Sequence, residues 1–136
     1  MITAVDSSVL IDIFGADDKF GLRSAERMRR CLADGAVVAC ELVWTETAVV
    51  FDREHDFLEA MRTLGVAFSA IEQKTAVASA HAWRKYLASG GRRGRVAADF
   101  LIGAHAVEQA DRLLTRDRGF YRDHFSKLKL VDPTAQ

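Results

Sequence analysis

Residues 2–10 read ITAVDSSVL, in which a short apolar run ends at Asp6 and leads through two serines into a second apolar run. β-Branched and small apolar residues over positions 2–6 favour a buried strand, because the run is too short for a core helix. Ser7 and Ser8 suit the turn from that strand into a helix. The stretch therefore predicts a strand followed at once by a helix, with an aspartate at the junction.

Four more short runs of this kind follow, separated by longer stretches with helical period. The predicted strands are ITAVD (2–6), AVVA (36–39), VAFS (66–69), RLLT (112–115) and LKLV (128–131). Helical spacing of apolar residues covers 22–32, 42–51, 57–64, 77–87 and the stretch from 100 onward. The alternation predicts an α/β fold with a parallel sheet of about five strands and helices on both faces. Gly65 and the 89–91 segment are predicted helix ends.

Composition indicates one compact domain spanning residues 1–136. The chain is 49% hydrophobic, and its 19 basic residues cancel its 19 acidic ones, which argues against a protein that coats nucleic acid through overall charge. The start resembles no signal peptide, and no run approaches the length of a membrane span. Cys31 and Cys40 lack metal-ligand spacing. We expect a cytoplasmic protein with reduced thiols and no membrane contact.

Four carboxylates fall at positions that a parallel sheet brings to one edge. Asp6 ends the first strand and Asp117 follows the fourth, so both leave carboxyl ends of strands, where open α/β sheets place their sites. A strand order of 3-2-1-4-5 makes these two strands neighbours. Glu46 lies in the helical run after the second strand, and Asp99 opens the helix that follows the arginine-rich loop.

The surroundings of these acids favour a divalent cation. Glu46 and Asp99 lie in otherwise apolar stretches, and no Lys or Arg lies three or four residues from Glu46. Neighbouring carboxylates repel by roughly 1 to 4 kcal/mol per close pair, and a cation removes that repulsion. Oxygen ligands select Mg²⁺ or Mn²⁺ over zinc. Taken singly, each acid also fits a helix cap, a turn residue or a solvated side chain.

Four segments, in this order, resemble motifs of the PIN-domain family and, within it, of the VapC-type ribonuclease toxins of bacterial toxin–antitoxin pairs. The segments are VDSSVLIDIF (5–14), CELVWTETAVV (40–50), RVAADFLIGAHAV (95–107) and LLTRDRGFYR (113–122). The resemblance implies a Mg²⁺- or Mn²⁺-dependent endoribonuclease with sheet order 3-2-1-4-5, a cognate antitoxin and a homodimeric state. It implies metal-binding roles for Asp6, Glu46, Asp99 and Asp117, with Thr115 orienting the last acid or a metal-bound water.

Basic residues cluster near the third and fourth acids, and five arginines are candidates for contacts to the RNA backbone. These are Arg92, Arg93, Arg95, Arg116 and Arg118. Single-stranded or loop RNA is the expected substrate, because sequence readers of RNA target unpaired bases. A solvated basic surface without a ligand stays open as the alternative.

Other chemistries fit the sequence less well. His55, His81, His105 and His124 have no ligand spacing, and no G-x-S-x-G elbow is present. A dehalogenase-like phosphatase needs a second aspartate where Ser8 stands. Glu41 departs from the family pattern, but about 500° of helix rotation separates it from Glu46. A catalytically inactive PIN-like module that binds RNA or protein stays open.

Overall fold

The computed structural model describes residues 1–91 and 97–134, which form five strands and seven helices. The strands are β1 (Ile2–Val5), β2 (Ala36–Ala39), β3 (Val66–Phe68), β4 (Arg112–Leu114) and β5 (Leu130–Val131). The helices are α1 (Ser7–Phe14), α2 (Gly21–Asp34), α3 (Glu41–Ala48), α4 (Glu54–Leu64), α5 (Gln73–Ala88), α6 (Ala97–Gln109) and α7 (Arg118–His124). All five predicted strands are present, and the last is two residues shorter at its start than the predicted 128–131.

The sheet is entirely parallel and its order is β3-β2-β1-β4-β5, as predicted. The connections from β1 to β2 and from β2 to β3 progress toward one edge, whereas β4 connects to β5 toward the other. Because such crossovers are right-handed, the two sets of helices lie on opposite faces. The connections of β1 and β4 diverge, so the crevice beyond their carboxyl ends is where such sheets bind ligands.

The central strands are buried on both faces, as their short apolar runs predict. Ala4 and Val5 of β1 and Leu113 and Leu114 of β4 are at most 2% exposed. On one face the core is aromatic: Phe100 of α6 stacks on Trp83 of α5 at 6.1 Å and meets Phe120 of α7 edge to face at 5.1 Å. Phe100 therefore joins three helices and fixes α6, the helix that carries Asp99.

A second aromatic group lies on α1, α3 and α4. Trp44 packs edge to face on Phe57 at 5.4 Å, and Phe51 contacts both Phe57 and Phe14. These aromatic side chains are more than one small core clearly needs, but their rings pack against one another. They consequently give no support of their own to a homodimer, which stays a prediction.

Smaller features of the fold agree with the sequence. Gly65 ends α4 at a φ of 94°, a left-handed conformation that favours glycine. α5 ends at Ala88, directly before the predicted stop at 89–91. Cys31 and Cys40 are buried free thiols. Among the helices of the described residues, none is long and apolar enough to cross a membrane.

We predict that Gly103→Ala destabilises the protein although it improves the helix propensity of α6. A Cβ at Gly103 would overlap the ring of Phe125, which is itself buried. The overlap should cost about 1 to 3 kcal/mol and outweigh the propensity gain of about 1 kcal/mol. Urea unfolding measures the difference. Gly119→Ala is the matched control, since nothing lies within 4 Å of that position, and it should be neutral or stabilising. Equal effects of the two substitutions would contradict the close packing at Gly103.

Candidate active site at the carboxyl edge of the sheet

Asp6 is fixed by the junction between β1 and α1. Its backbone N–H donates to the carbonyl of Leu114 at 2.9 Å, which extends the pairing of β1 and β4 by one residue. Its carboxylate caps α1 by accepting the backbone N–H of Ser7 at 2.8 Å. The side chain is consequently held at the crevice between the two central strands, and the residue is only 7% exposed.

Thr115 links Asp6 to the fourth predicted acid. Its buried hydroxyl donates to Asp6 Oδ2 at 2.8 Å and accepts the backbone N–H of Asp117 at 3.0 Å. A single side chain thus sets both the orientation of one carboxylate and the path of the backbone at the other. The family resemblance implies that Thr115 orients Asp117 or a metal-bound water. In the structure its hydroxyl orients the Asp6 carboxylate instead and contacts Asp117 through the backbone N–H, so the role of Thr115 at a metal stays a prediction. Asp117 itself is exposed and directly precedes α7.

Glu46 reaches the same crevice from α3. The Ser7 hydroxyl donates to Glu46 Oε1 at 3.0 Å and lies 3.5 Å from Asp6 Oδ1, so one hydroxyl separates the two carboxylates. Glu41, at the start of α3, instead accepts the backbone N–H of Ile71 at 2.9 Å. The structure therefore brings Glu46 to Asp6 and directs Glu41 to the segment before α5.

The electrostatics of the crevice disfavour the ionised form of Asp6. Burial raises the pKa of Asp6 to about 6, and the charges of Glu46 and Asp99 add to the rise, against the hydrogen bonds from Thr115 and Ser7. Within residues 1–91 and 97–134, no Lys or Arg forms an ion pair with Asp6. The donors around this buried carboxylate are neutral, so its charge is solvated in part but not cancelled.

Tyr121 is a buried residue whose phenol is influenced by all four predicted acids. Burial raises the pKa of its phenol, and Asp6, Asp99, Asp117 and Glu46 each raise that pKa further. Since Coulombic effects weaken with distance, each of the four acids is near enough to Tyr121 for its charge to act on the phenol. Tyr121 keeps its proton and adds no fifth negative charge. Sequence reasoning missed this residue, although its place one helical turn after Asp117 was a usable signal.

The donor set fits a hard cation although no coordination shell is preformed. In the described part of the chain, no three or more His, Cys, Asp or Glu side chains already stand as a ligand group. The Ser7 hydroxyl lies between the carboxylates of Asp6 and Glu46 instead. Mg²⁺ usually keeps several waters and binds through one or two carboxylates, so spaced oxygen donors around an uncancelled buried charge suit it. The same donors do not suit zinc.

The arginines of the sequence prediction have different outcomes. Arg92, Arg93 and Arg95 lie outside the described residues. Arg116 donates to Asp12, and Arg118 Nε lies 2.7 Å from Asp132 Oδ2, so each pairs with a buried aspartate of the chain itself. Contact of these two arginines with RNA stays a prediction. Sequence reasoning did not foresee either pair, because the partners are more than ten residues apart.

The most buried histidine has a local structural partner. His105 is 1% exposed, and its Nε2 lies 3.0 Å from the Ser69 hydroxyl. Burial lowers the pKa of His105, with smaller opposing contributions from Glu41, Ser69 and Glu72. A neutral, buried imidazole bonded to a serine agrees with the structural role that the sequence favours for it over metal-free acid–base chemistry.

Comparison with protein families decides the classification of this arrangement. A family model of the PIN domain matches residues 3–124, which includes all five predicted site residues. The chain belongs to the PIN-domain family. Comparison with curated proteins returned no sequence match.

Solved structures share the fold of this PIN domain at low sequence identity. A chain of VapBC-1 from nontypeable Haemophilus influenzae has a TM-score of 0.76 and 18% identity over 99% of this chain and 100% of that chain. A chain of VapBC2 from Rickettsia felis, bound to a DNA fragment from its promoter, has a TM-score of 0.72 and 15% identity over 97% and 98%. VapC20 from Mycobacterium tuberculosis, described as a Sarcin-Ricin loop cleaving toxin, has a TM-score of 0.61 and 18% identity over 93% and 98%.

We predict that Asp6 makes the metal-free PIN domain less stable as pH rises. Its folded pKa of about 6 lies above the ordinary 3.8, so the folded state holds this proton more tightly than the unfolded chain. The contribution of Asp6 to the free energy of unfolding therefore falls between about pH 4 and about pH 6 and stays low above that range. Asp6→Asn removes this component, so in EDTA the variant should match the parent near pH 4 and exceed it by roughly 1 to 3 kcal/mol near pH 7.5.

Denaturant unfolding at the two pH values measures the difference between Asp6→Asn and the parent. Asp18→Asn serves as the control, because Asp18 is exposed and its loss should leave the pH profile unchanged. A constant difference between Asp6→Asn and the parent at both pH values would show that the Asp6 charge is not disfavoured in the folded state.

Proposed function

We propose that this PIN domain is a Mg²⁺- or Mn²⁺-dependent endoribonuclease and the toxin of a toxin–antitoxin pair. The observation that carries the proposal is the buried Asp6 carboxylate, whose pKa is raised and whose described partners are all neutral donors. A structural aspartate at this depth is ordinarily paired with a cation of the protein. Here the charge is left for a cation from solution.

In the proposal, the side chains of the site have different roles. Asp6, Asp99 and Asp117 would hold the principal ion directly or through water, and Glu46 would hold a second ion or orient the attacking water. When bound, a divalent cation supplies positive charge where negative charge gathers on the phosphodiester oxygens during cleavage. Thr115 and Ser7 orient the carboxylates, since their hydroxyls donate to Asp6 and Glu46.

The chemistry of the surroundings favours RNA that is locally unpaired. The net charge of the chain is zero, so binding would depend on a local cluster of cations beside the carboxylates. Arg92, Arg93 and Arg95 precede Asp99 in the sequence and supply that cluster in the proposal, with Arg116 and Arg118 as further candidates. Unpaired bases expose the edges that proteins read, which favours single-stranded or loop RNA.

The partners in the proposal follow from proteins of the same fold. The similar structures from Haemophilus influenzae and Rickettsia felis are described as VapBC assemblies, and the protein from Mycobacterium tuberculosis is described as a Sarcin-Ricin loop cleaving toxin. By analogy, this chain would bind a cognate antitoxin and form a homodimer in the cytoplasm. Identity below 20% limits these similarities to the fold.

We predict that Asp6→Asn and Asp99→Asn each abolish Mg²⁺-dependent cleavage of a defined pool of single-stranded RNA. Each substitution removes a carboxylate that would hold the ion, while a neutral amide of the same shape keeps the packing. Cleavage is measured with Mg²⁺, with Mn²⁺ and with EDTA, beside melting curves in the same buffers. Mg²⁺ should raise the melting temperature of the parent more than that of either variant. Asp18→Asn, which changes an exposed aspartate, should behave as the parent.

The inactive binding module is the second candidate, and the same assay separates it from the nuclease. A module would bind RNA or protein without cleavage in any buffer, and Mg²⁺ would stabilise parent and variants equally. Cleavage that persists in both Asn variants would refute the four-carboxylate nuclease. Cleavage that survives EDTA in the parent would refute its metal dependence.

A further variant tests the substrate class. Replacing Arg92, Arg93 and Arg95 together by Ala should weaken binding of all RNA sequences alike and flatten the dependence of affinity on salt, because each phosphate contact releases counterions. Filter binding between about 50 and about 200 mM salt measures both effects. An unchanged salt slope would make the loop ordinary solvated surface and leave the nuclease proposal to stand on the carboxylates alone.

A further inference from the structure

A second buried aspartate lies on the helix that Asp6 caps. Asp12 is 5% exposed and lies in the second turn of α1. Arg116 binds it in a forked arrangement, with Nε 2.6 Å from Oδ2 and the second guanidinium nitrogen 3.1 Å from Oδ1. Such two-point pairs fix the planes of both groups, which a lysine cannot do. The pair joins residues 104 positions apart in the sequence.

Two further contacts hold the guanidinium in place. Its plane lies over the ring of Phe20, with the central carbon 4.1 Å from the ring centroid. The Ser24 hydroxyl of α2 donates to Asp12 Oδ2 at 3.1 Å and orients that carboxylate. Arg116 is therefore restrained by α1, by α2 and by Phe20 in the connection between these helices. Its side chain is still 31% exposed. This set, Asp12, Phe20, Ser24 and Arg116, is referred to below as the arginine clamp.

The clamp acts on a segment of the candidate site that lies outside the described strands and helices. Arg116 stands between Thr115 and Asp117, in the connection from β4 to α7. Asp117 is exposed, and no side chain caps α7 at that residue. The hydrogen bond from the Asp117 N–H to Thr115 holds the segment locally, and the clamp ties it to the rest of the protein.

We infer that the Asp12–Arg116 pair is a positioning device that sets the geometry of Thr115 and Asp117 relative to Asp6. Two consecutive residues of the segment grip the same helix at separate points: Thr115 binds Asp6 at its start, and Arg116 binds Asp12 six residues later. Two attachments on one rigid helix fix both the place and the direction of the segment. The inference rests on the proposed nuclease function, but it concerns how the site is held and not what it cleaves.

The positioning role differs from the predicted contact between Arg116 and RNA. A guanidinium that touched RNA would act on substrate binding and on its salt dependence. A guanidinium that holds Asp117 would act on the turnover step, because a displaced ligand weakens ion binding and misplaces the reacting groups. The partner substitution separates the two roles, since Asp12 is buried and its carboxylate is not placed to touch RNA.

The test compares Asp12→Asn, Arg116→Gln, their double variant and Arg116→Lys with the parent. We expect each of the first two to lower kcat roughly tenfold or more, with KM for RNA and the salt slope unchanged. The Mg²⁺ concentration for half-maximal cleavage should rise in both. The kcat of the double variant should be no lower than that of the less active single variant, because both substitutions break the same interaction. Arg116→Lys keeps the charge without the fork and should be intermediate.

Arg112→Gln is the matched control. Arg112 also bridges a strand to an aspartate, donating to Thr3 and to Asp34, but it stands at the opposite end of β4. Its loss should lower the melting temperature by about 2 to 6 °C and leave kcat unchanged. A second readout needs no activity: the amide proton of Asp117, followed by NMR in the metal-free protein, should exchange faster in every clamp variant and at the parent rate in Arg112→Gln.

Several outcomes would overturn the positioning role. A raised KM and a flatter salt slope in Arg116→Gln, with Asp12→Asn like the parent, would make Arg116 an RNA contact. An equal fall of kcat in Arg112→Gln would show that the clamp acts on activity only through the overall stability of the protein. If the parent cleaves no RNA with either cation, the proposed function fails, and Asp117 amide exchange then decides the clamp by itself. If Asp12→Asn does not fold, Arg116→Gln and Arg116→Lys carry the comparison, and unchanged kcat and exchange in both refute the inference.

Discussion

The rest of the structure depends on one constraint: the Asp6 carboxylate is buried where its ionised form is disfavoured. Asp6 closes the pairing of β1 with β4, caps α1 and lies buried beside other acids. The backbone that holds it belongs to the most buried part of the sheet, so the side chain cannot move away to water. The apolar packing of the central strands provides the stability that this arrangement costs, a pattern often found where a site conflicts with the needs of folding.

Two buried aspartates of α1, one at its N-cap and one within it, differ in the charge of their partners. Asp12 has a guanidinium partner, and the pair is a closed structural unit. Within the residues that the structure describes, the donors to Asp6 are neutral groups of Ser7 and Thr115, which orient the carboxylate without neutralising it. A lysine or arginine paired with Asp6 would cancel its charge and occupy the place that the proposed function gives to a metal ion. The choice of neutral donors therefore distinguishes a carboxylate kept available from one used for structure.

The fold could be predicted because it depends on local signals, and so could the placement of Glu46 beside Asp6. Strand length, helical period and glycine stops identify the elements, and the strand ends fix which side chains share an edge. The register of α3 was also accessible, since five residues of helix cannot place Glu41 and Glu46 on one side. By contrast, the pairs Arg116 with Asp12 and Arg118 with Asp132 depend on side chains meeting across the fold, for which one sequence holds no periodic signal. Tyr121 was accessible in part, since it lies one helical turn after Asp117, but its burial depends on packing across the fold.

The order of the strands determines when the site exists during synthesis. β1 is made first, but the neighbour that completes the crevice, β4, begins only at Arg112, after nearly all of the other elements. A growing chain that has already folded β1, β2 and β3 side by side still lacks Thr115 and Asp117, and one edge of β1 has no partner. Ribosomes add about 5 to 20 residues per second, so this interval lasts several seconds. Until Asp117 has been made, the nascent polypeptide cannot bring the four candidate carboxylates together, and the candidate site stays incomplete.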